Sequence, residues 1–327
     1  MEQRPLGKTG RMVSAIGFGA WGIGGDWGVV DDATSLRALH AAADAGVTLF
    51  DTADVYGAGR SERLLGQLLR ERRGDSLFVA TKMGRGVPLD LAAYTPEAFR
   101  GWVDRSRENL GVERLDLVQL HCLPTDIYYR PEVFAALDDL VAEGSIANYG
   151  VSVARVEEGL KAIEFPGVAS VQIIYNIARQ RPAERFLAEA ARRDVGVLAR
   201  VPLASGLLTG RLTRETVFDE SDHRRFNRQG EAFDAGETFA GLDYETGLAF
   251  VEELRPLVPA GATMAQLALR WILMADAVTA AIPGAKSPEQ ARANAAAADL
   301  APLPPGTMEQ IAHLYAERVR PLVHQRW

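Results

Sequence analysis

Asp51, Tyr56, Lys82 and His121 are residues whose types and spacing fit together as chemistry. Asp51 and Tyr56 lie five residues apart in "FDTADVYG", Lys82 falls in "VATKMG", and His121 ends "LVQLH". A phenol ionises near pH 10, so it can donate a proton but is poorly matched to neutral conditions. An ammonium group beside it favours the phenolate and lowers that value, and a carboxylate keeps the ammonium charged and fixed. Tyr56 is then the acid, tuned by Lys82 and Asp51. A histidine alongside can hydrogen-bond a substrate oxygen and orient a carbonyl between two donors. Such a site protonates an oxygen as it gains charge, which carbonyl reduction requires when a hydride arrives from a cofactor.

Each residue alone has an ordinary explanation: a capping Asp, a rim Tyr, a satisfied polar His. Lys82 resists such a reading, because a strand flanked by apolar residues rarely carries an ammonium group without a partner. Asp51 is the obvious partner. What gives the set weight is the placement of all four at three successive strand ends.

The elements that must position them are read from hydrophobic runs alternating with amphipathic segments, a pattern of βαβ units and a parallel sheet. Eight strands are expected, at 14–20, 47–53, 77–83, 115–121, 147–153, 170–176, 196–203 and 279–285. Helical spacing marks 32–45, 96–110 with Thr95 as N-cap, a helix from Pro131 closing at Gly144, 244–257 and 263–274. Eight strand-then-helix units predict an α/β fold: one (β/α)8 TIM barrel domain spanning 1–327, with catalytic groups at the C-terminal ends of its strands. An open dinucleotide-binding sheet is the competing architecture. It would need GxGxxG between the first strand and its helix, whereas in "GFGAWGIGG" Trp21 interrupts the glycines and no helix is expected to open. Ahead of the first strand, "RPLGKTGRMV" reads as a hairpin plugging the N-terminal end of the barrel. A long loop follows the seventh strand, 204–242, and Phe218, Phe226, Phe233 and Phe239 mark it as a packed flap rather than a disordered insertion.

Composition agrees with an ordinary folded chain: 327 residues, 47% hydrophobic and 24% charged. A net charge of −7 argues against nucleic-acid binding. Cys122 is the only cysteine and the five histidines are scattered, so neither a disulfide nor a metal site is expected. "MEQRPLGKTGRMVS" lacks the apolar core of a signal peptide and no apolar run is long enough for a membrane span, so the expected location is cytoplasmic.

"FDTADVYG", "VATKMG" and "LVQLH", with "LGKTGRMVSAIGFGAW" and "IPGAKSPEQARAN" towards the two ends, resemble the signature elements of the aldo-keto reductase superfamily, (β/α)8 barrels that use NADPH. The resemblance implies Tyr56 as general acid/base, Lys82 and Asp51 as its tuning pair and His121 as the orienting group. It also implies an NADPH/NADP+ site. Gln172 and Ser152 would hold the nicotinamide carboxamide, although Val153 stands where many members have Asn. Arg200 occupies the position from which the family often stacks an aromatic ring on the nicotinamide. Gly19, Ala20 and Trp21 would line the cofactor, and Pro202, Leu203, Ser205 and Gly206 would cover its pyrophosphate. Lys286 and Ser287, ahead of a helix N-terminus suited to an anion, would take the 2′-phosphate. Gln290, where other members often carry Arg, and Asn294 would face the adenine.

Trp21, Trp27 and Tyr128, with Tyr129, are expected around a small carbonyl or alcohol substrate beside Tyr56 and His121. Cys122 stands where many members carry Trp, which widens the pocket. Two other functions share the barrel: a nicotinamide-binding regulatory subunit resembling potassium-channel β-subunits, and an isomerase or aldolase using Lys82 as a Schiff base.

Overall fold

The computed structural model describes residues 1–25, 27–28 and 30–327. Two short antiparallel strands, β1 (Gln3–Pro5) and β2 (Met12–Ser14), form the expected hairpin through a turn at Gly7–Thr9. The hairpin lies across one end of the barrel: Gly7 has φ +47°, and a Cβ there would lie 2.3 Å from the backbone N of Gly196. Only glycine allows that approach.

Eight parallel strands follow in one sheet: β3 (Phe18–Gly19), β4 (Leu49–Asp51), β5 (Phe78–Met83), β6 (Leu117–His121), β7 (Tyr149–Val153), β8 (Val168–Ile174), β9 (Gly196–Arg200) and β10 (Ala280–Ala281). Hydrogen bonds from Gly17 N to Ala281 O (2.8 Å) and from Gly19 N to Pro283 O (2.9 Å) join the first strand of this sheet to the last. The result is the expected (β/α)8 barrel. All eight strand positions were legible, but β3 and β10 are much shorter than their apolar runs. Ser14 belongs to the hairpin, and Pro283 has no N–H to extend a ladder. The seventh expected strand ends at Arg200, because Val201 turns to φ +48°.

Every residue of β5 and β6 is buried, as strands covered on both faces should be. One apolar cluster fills the layer between sheet and helices. A second, with Leu6 and Val13 of the hairpin against Leu49, Phe78, Ala80, Leu117 and Leu198, fills the barrel floor. The glycine cluster departs from expectation, since a helical turn, α1 (Trp21–Gly24), does open there. At four residues it is too short to serve as a phosphate-binding helix.

The helices include α2 (Asp32–Asp44), α3 (Arg60–Glu71), α4 (Pro96–Leu110) and α5 (Pro131–Ala142); α2, α4 and α5 form close to their read limits, while α3 was not among the helices read from the sequence. Ala98 N donates to the Thr95 hydroxyl at 3.2 Å, so Thr95 caps α4. The loop after β9 is a packed flap, built from short turns and a one-turn helix at His223–Phe226, with Phe218 and Phe239 buried beneath it.

Candidate active site

Alternation along each strand decides which side chains enter the barrel. From the floor upward the inward positions run Leu49 then Asp51, Phe78 then Ala80 then Lys82, Leu117 then Gln119 then His121, Ser170 then Gln172, and Leu198 then Arg200. Apolar residues lie at the hairpin end and polar ones at the opposite rim. Strand register sets them side by side: Lys82 pairs with Gln119, His121 with Ser152 and Ser152 with Gln172.

Lys82 Nζ donates to Asp51 Oδ1 at 2.6 Å, to Thr52 O at 2.8 Å and to the Tyr56 hydroxyl at 3.4 Å. The Tyr56 and His121 rings meet edge to face, with centroids 5.7 Å apart. The four residues singled out in the sequence thus come together, and Tyr56, Asp51 and His121 line one cavity of ≈ 770 Å³. Burial works against the Lys82 ammonium, but Asp51 and Tyr56 hold its pKa above the ordinary lysine value. Burial likewise raises the Tyr56 phenol above its usual range, with the Lys82 charge offsetting part of that rise. The expected lowering by Lys82 therefore operates, but desolvation outweighs it. His121 is held well below its usual pKa, first by burial and then by Arg85, Lys82 and Arg200. It is a neutral imidazole, able to hydrogen-bond a carbonyl oxygen without contributing charge.

The same cavity extends along the rim to a basic end. Gly19, Trp21, Ser152, Gln172 and Arg200 line its inner part, and Pro202, Leu203, Ser205 and Gly206 its middle. Lys286, Gln290 and Asn294 line the far end. A cavity of this volume, lined by polar side chains beside Tyr56 and by the cations Lys286 and Arg224, has room for a dinucleotide. Several side chains meant for that ligand are engaged within the protein. Gln172 Nε2 donates to Asp51 Oδ2 at 2.7 Å, Gln290 Oε1 accepts from Lys286 N at 2.8 Å, and Asn294 Nδ2 donates to Gly284 O at 3.1 Å. Lys286 Nζ donates to Trp27 O. Its pKa is lowered by partial burial and then by the neighbouring Arg224.

Four expected contacts are not made by the cavity wall. Tyr128 is fully buried, with its hydroxyl donating to Ser152 O at 3.4 Å, and so lies behind the wall rather than beside a substrate. Ser287 caps the helix Pro288–Ala295, accepting from Gln290 N at 3.3 Å, and Ala20 packs into the core. Tyr129 is exposed beneath Lys161 rather than placed around a substrate. Trp21 and Trp27 do line the cavity. Trp21 stacks on Tyr56 (6.0 Å) and meets His223 (4.8 Å) and Phe233 (5.9 Å) of the flap.

Sequence reasoning missed the charged residues that tie the flap to the site. Arg85 Nη1 lies 3.4 Å from His121 Nε2, and Arg85 Nη2 donates to Glu237 Oε1 at 3.2 Å. Glu237 also faces Arg200 Nη1 at 3.5 Å, and Arg200 reaches Val153 O (3.2 Å) and Cys122 Sγ (3.5 Å). Arg85 follows the third barrel strand by two residues, a position from which any side chain reaches the catalytic rim. Glu237 lies in the flap, where no periodicity marks it.

Residues 15–316 match the model of the Aldo/keto reductase family. The chain is 30% identical over 305 residues to aldo-keto reductase YhdN of Bacillus subtilis (strain 168), covering 90% of this chain and 87% of that protein. It is 30% identical over 323 residues to the NADH-specific methylglyoxal reductase of Escherichia coli (strain K12), covering 92% and 94%. An aldo-keto reductase from Klebsiella pneumoniae solved in complex with NADPH superposes with a TM-score of 0.72 at 26% identity, covering 96% of this chain and 95% of that one.

Proposed function

The chain belongs to the aldo/keto reductase family of oxidoreductases, and from that membership we propose that it is a cytoplasmic, single-domain enzyme that reduces an aldehyde or ketone, sugar-like carbonyls included, with NADPH. The observation that carries this reading is the Asp51–Lys82–Tyr56 chain of contacts, set beside neutral His121 in a cavity that continues to a basic end.

NADPH, held by Gln172 and Ser152 at its carboxamide and by Lys286 at its 2′-phosphate, would supply a hydride to the carbonyl carbon. As charge develops on the oxygen, the Tyr56 hydroxyl donates its proton there, leaving a phenolate that the Lys82 ammonium stabilises. Asp51 keeps Lys82 charged and aimed, and His121 offers the oxygen a second, uncharged hydrogen bond. Trp21 backs the Tyr56 ring and covers this end of the cavity.

The test is the fall in NADPH absorbance against a panel of aldehydes, ketones and sugars. Steady consumption over many turnovers is expected. Tight NADPH binding with no turnover would move the weight to a nicotinamide-binding regulatory subunit.

Preference for NADPH is assigned to Lys286. Lys286→Ala is expected to raise the Kd for NADPH about 10- to 30-fold, the scale of one charge-assisted phosphate contact, with NADH shifted less than about 3-fold. Fluorescence titration measures both. Equal weakening of the two would remove Lys286 from 2′-phosphate recognition and turn attention to Arg224, which also lines the basic end.

A further inference from the structure

We infer that Arg85 is a substrate-binding residue that recognises a carboxylate attached directly to the reacting carbonyl, so that the preferred substrates are 2-oxo acids. The inference rests on the carbonyl-reductase reading of the site.

Its first support is position. A carbonyl oxygen held between the Tyr56 hydroxyl and His121 Nε2 lies within reach of Arg85, whose Nη1 is 3.4 Å from that same imidazole nitrogen. A group bound by Arg85 therefore lies near the reacting carbon, a separation that a carboxylate attached directly to the carbonyl can span. The guanidinium is presented for this purpose. Its side chain is 23% exposed, it packs over the Phe233 ring at 5.2 Å, and it lines the cavity with Tyr56 and His121. Among the described residues Nη2 donates to Glu237, and Nη1 lies 3.4 Å from His121 Nε2, which accepts from it only in the tautomer protonated at Nδ1; with Nε2 protonated to face the carbonyl oxygen, that Nη1 is left open as well. The planar fork retains donors for a bidentate carboxylate.

The second support is charge. Lys82 is matched by Asp51, but Arg85 and Arg200 share one carboxylate, Glu237, whose side chain is 3% exposed. Burial alone would raise the Glu237 pKa, and the two guanidinium groups hold it below the ordinary value. Glu237 is thus committed as an anion and still leaves one cation in excess. A partly buried, uncompensated cation is costly, and an anionic ligand relieves that cost. A neutral carbonyl compound offers no such compensation.

The acid and methyl ester of one 2-oxo acid, pyruvate and methyl pyruvate, differ in charge at the position in question. The ratio of their kcat/KM values, compared between variants, cancels their unequal intrinsic reactivity. Arg85→Gln is expected to lower the acid-to-ester ratio about 100-fold, the scale of a paired charged hydrogen bond, with Arg85→Lys intermediate. Glu237→Gln, which leaves both guanidinium groups unshared, is expected to raise it about 10-fold. Oxamate, a 2-oxo acid mimic that cannot be reduced, gives a readout free of turnover. Its Kd for the NADP+-loaded protein, by calorimetry, is expected to rise about 100-fold in Arg85→Gln.

An acid-to-ester ratio within 3-fold of wild type in Arg85→Gln, or turnover of neutral carbonyls with none of any 2-oxo acid, would overturn the inference and leave the reductase reading standing. Oxamate binding that depends on Arg85 in a protein that turns over no carbonyl would overturn the reductase reading and the substrate preference with it, and leave Arg85 as a carboxylate-binding residue only.

Discussion

Tyr56→Phe is expected to lower kcat for carbonyl reduction about 1,000-fold, within the range that general acids contribute, while the Kd for NADPH stays within about 2-fold of wild type. No neighbour is placed to replace the lost proton. Lys82 Nζ is directed at Asp51 and Thr52 O, and its pKa lies above the lysine norm, so it is a poor donor near neutrality. His121 is held uncharged, and Arg85 does not give up a proton in a protein. Folding is expected to survive, because the hydroxyl makes one long contact and the ring keeps its packing on Trp21. Steady-state rates with a fluorescence titration of NADPH separate the two effects. A variant that retained reductase activity would remove Tyr56 from the role of acid, and one that lost NADPH binding would make the residue structural.

The catalytic four were legible because strand ends are where hydrophobic pattern and chemistry intersect. In "FVATKM" the inward series Phe78, Ala80, Lys82 climbs from floor to rim, so an ammonium group at the third inward position must meet whatever ends the neighbouring strand. Asp51 ends it. Gln172 and Arg200 were legible only through the family resemblance, which could not show that Gln172 engages Asp51. Tyr128 was misjudged for the complementary reason. It belongs to a loop of 3-10 turns, Thr125–Tyr129, where no periodicity says which of two adjacent tyrosines is buried. The chain buries Tyr128 and exposes Tyr129.

The flap marks the limit of local pattern. Its phenylalanines announced that it would pack, and Phe218 and Phe239 do so. The contact that joins it to the chemistry, Arg85 to Glu237, spans 152 residues of sequence. Neither partner has a neighbour in sequence that explains it. Only closure of the barrel, with the loops after β5 and β9 leaning over one mouth, brings the two together.

Lys82→Met separates the lysine's two tasks, stability and catalysis. The side chain is buried and its ion pair with Asp51 is equally enclosed, so among the described residues removing the cation leaves a carboxylate with Gln172 as its one side-chain partner. Loss of about 3 to 5 kcal/mol in folding stability is expected from such an orphaned charge. The catalytic effect has a separate cause. Burial already raises the Tyr56 pKa, and Lys82 is the largest influence offsetting it, so without Lys82 the phenol titrates higher still. In the reductive direction the phenolate left after proton transfer loses its cation, and kcat is expected to fall about 1,000-fold. In the direction of alcohol oxidation Tyr56 must be deprotonated, so the activity that rises with pH through its pKa moves to higher pH in the variant. Adding Asp51→Asn discriminates between the two tasks. With both charges gone the buried pair is neutral, and most of the lost stability, followed by chemical denaturation, is expected to return. Activity is not expected to return, since no cation faces Tyr56. Recovery of both together would make Lys82 a structural residue, while recovery of stability alone would fix its role on the phenol.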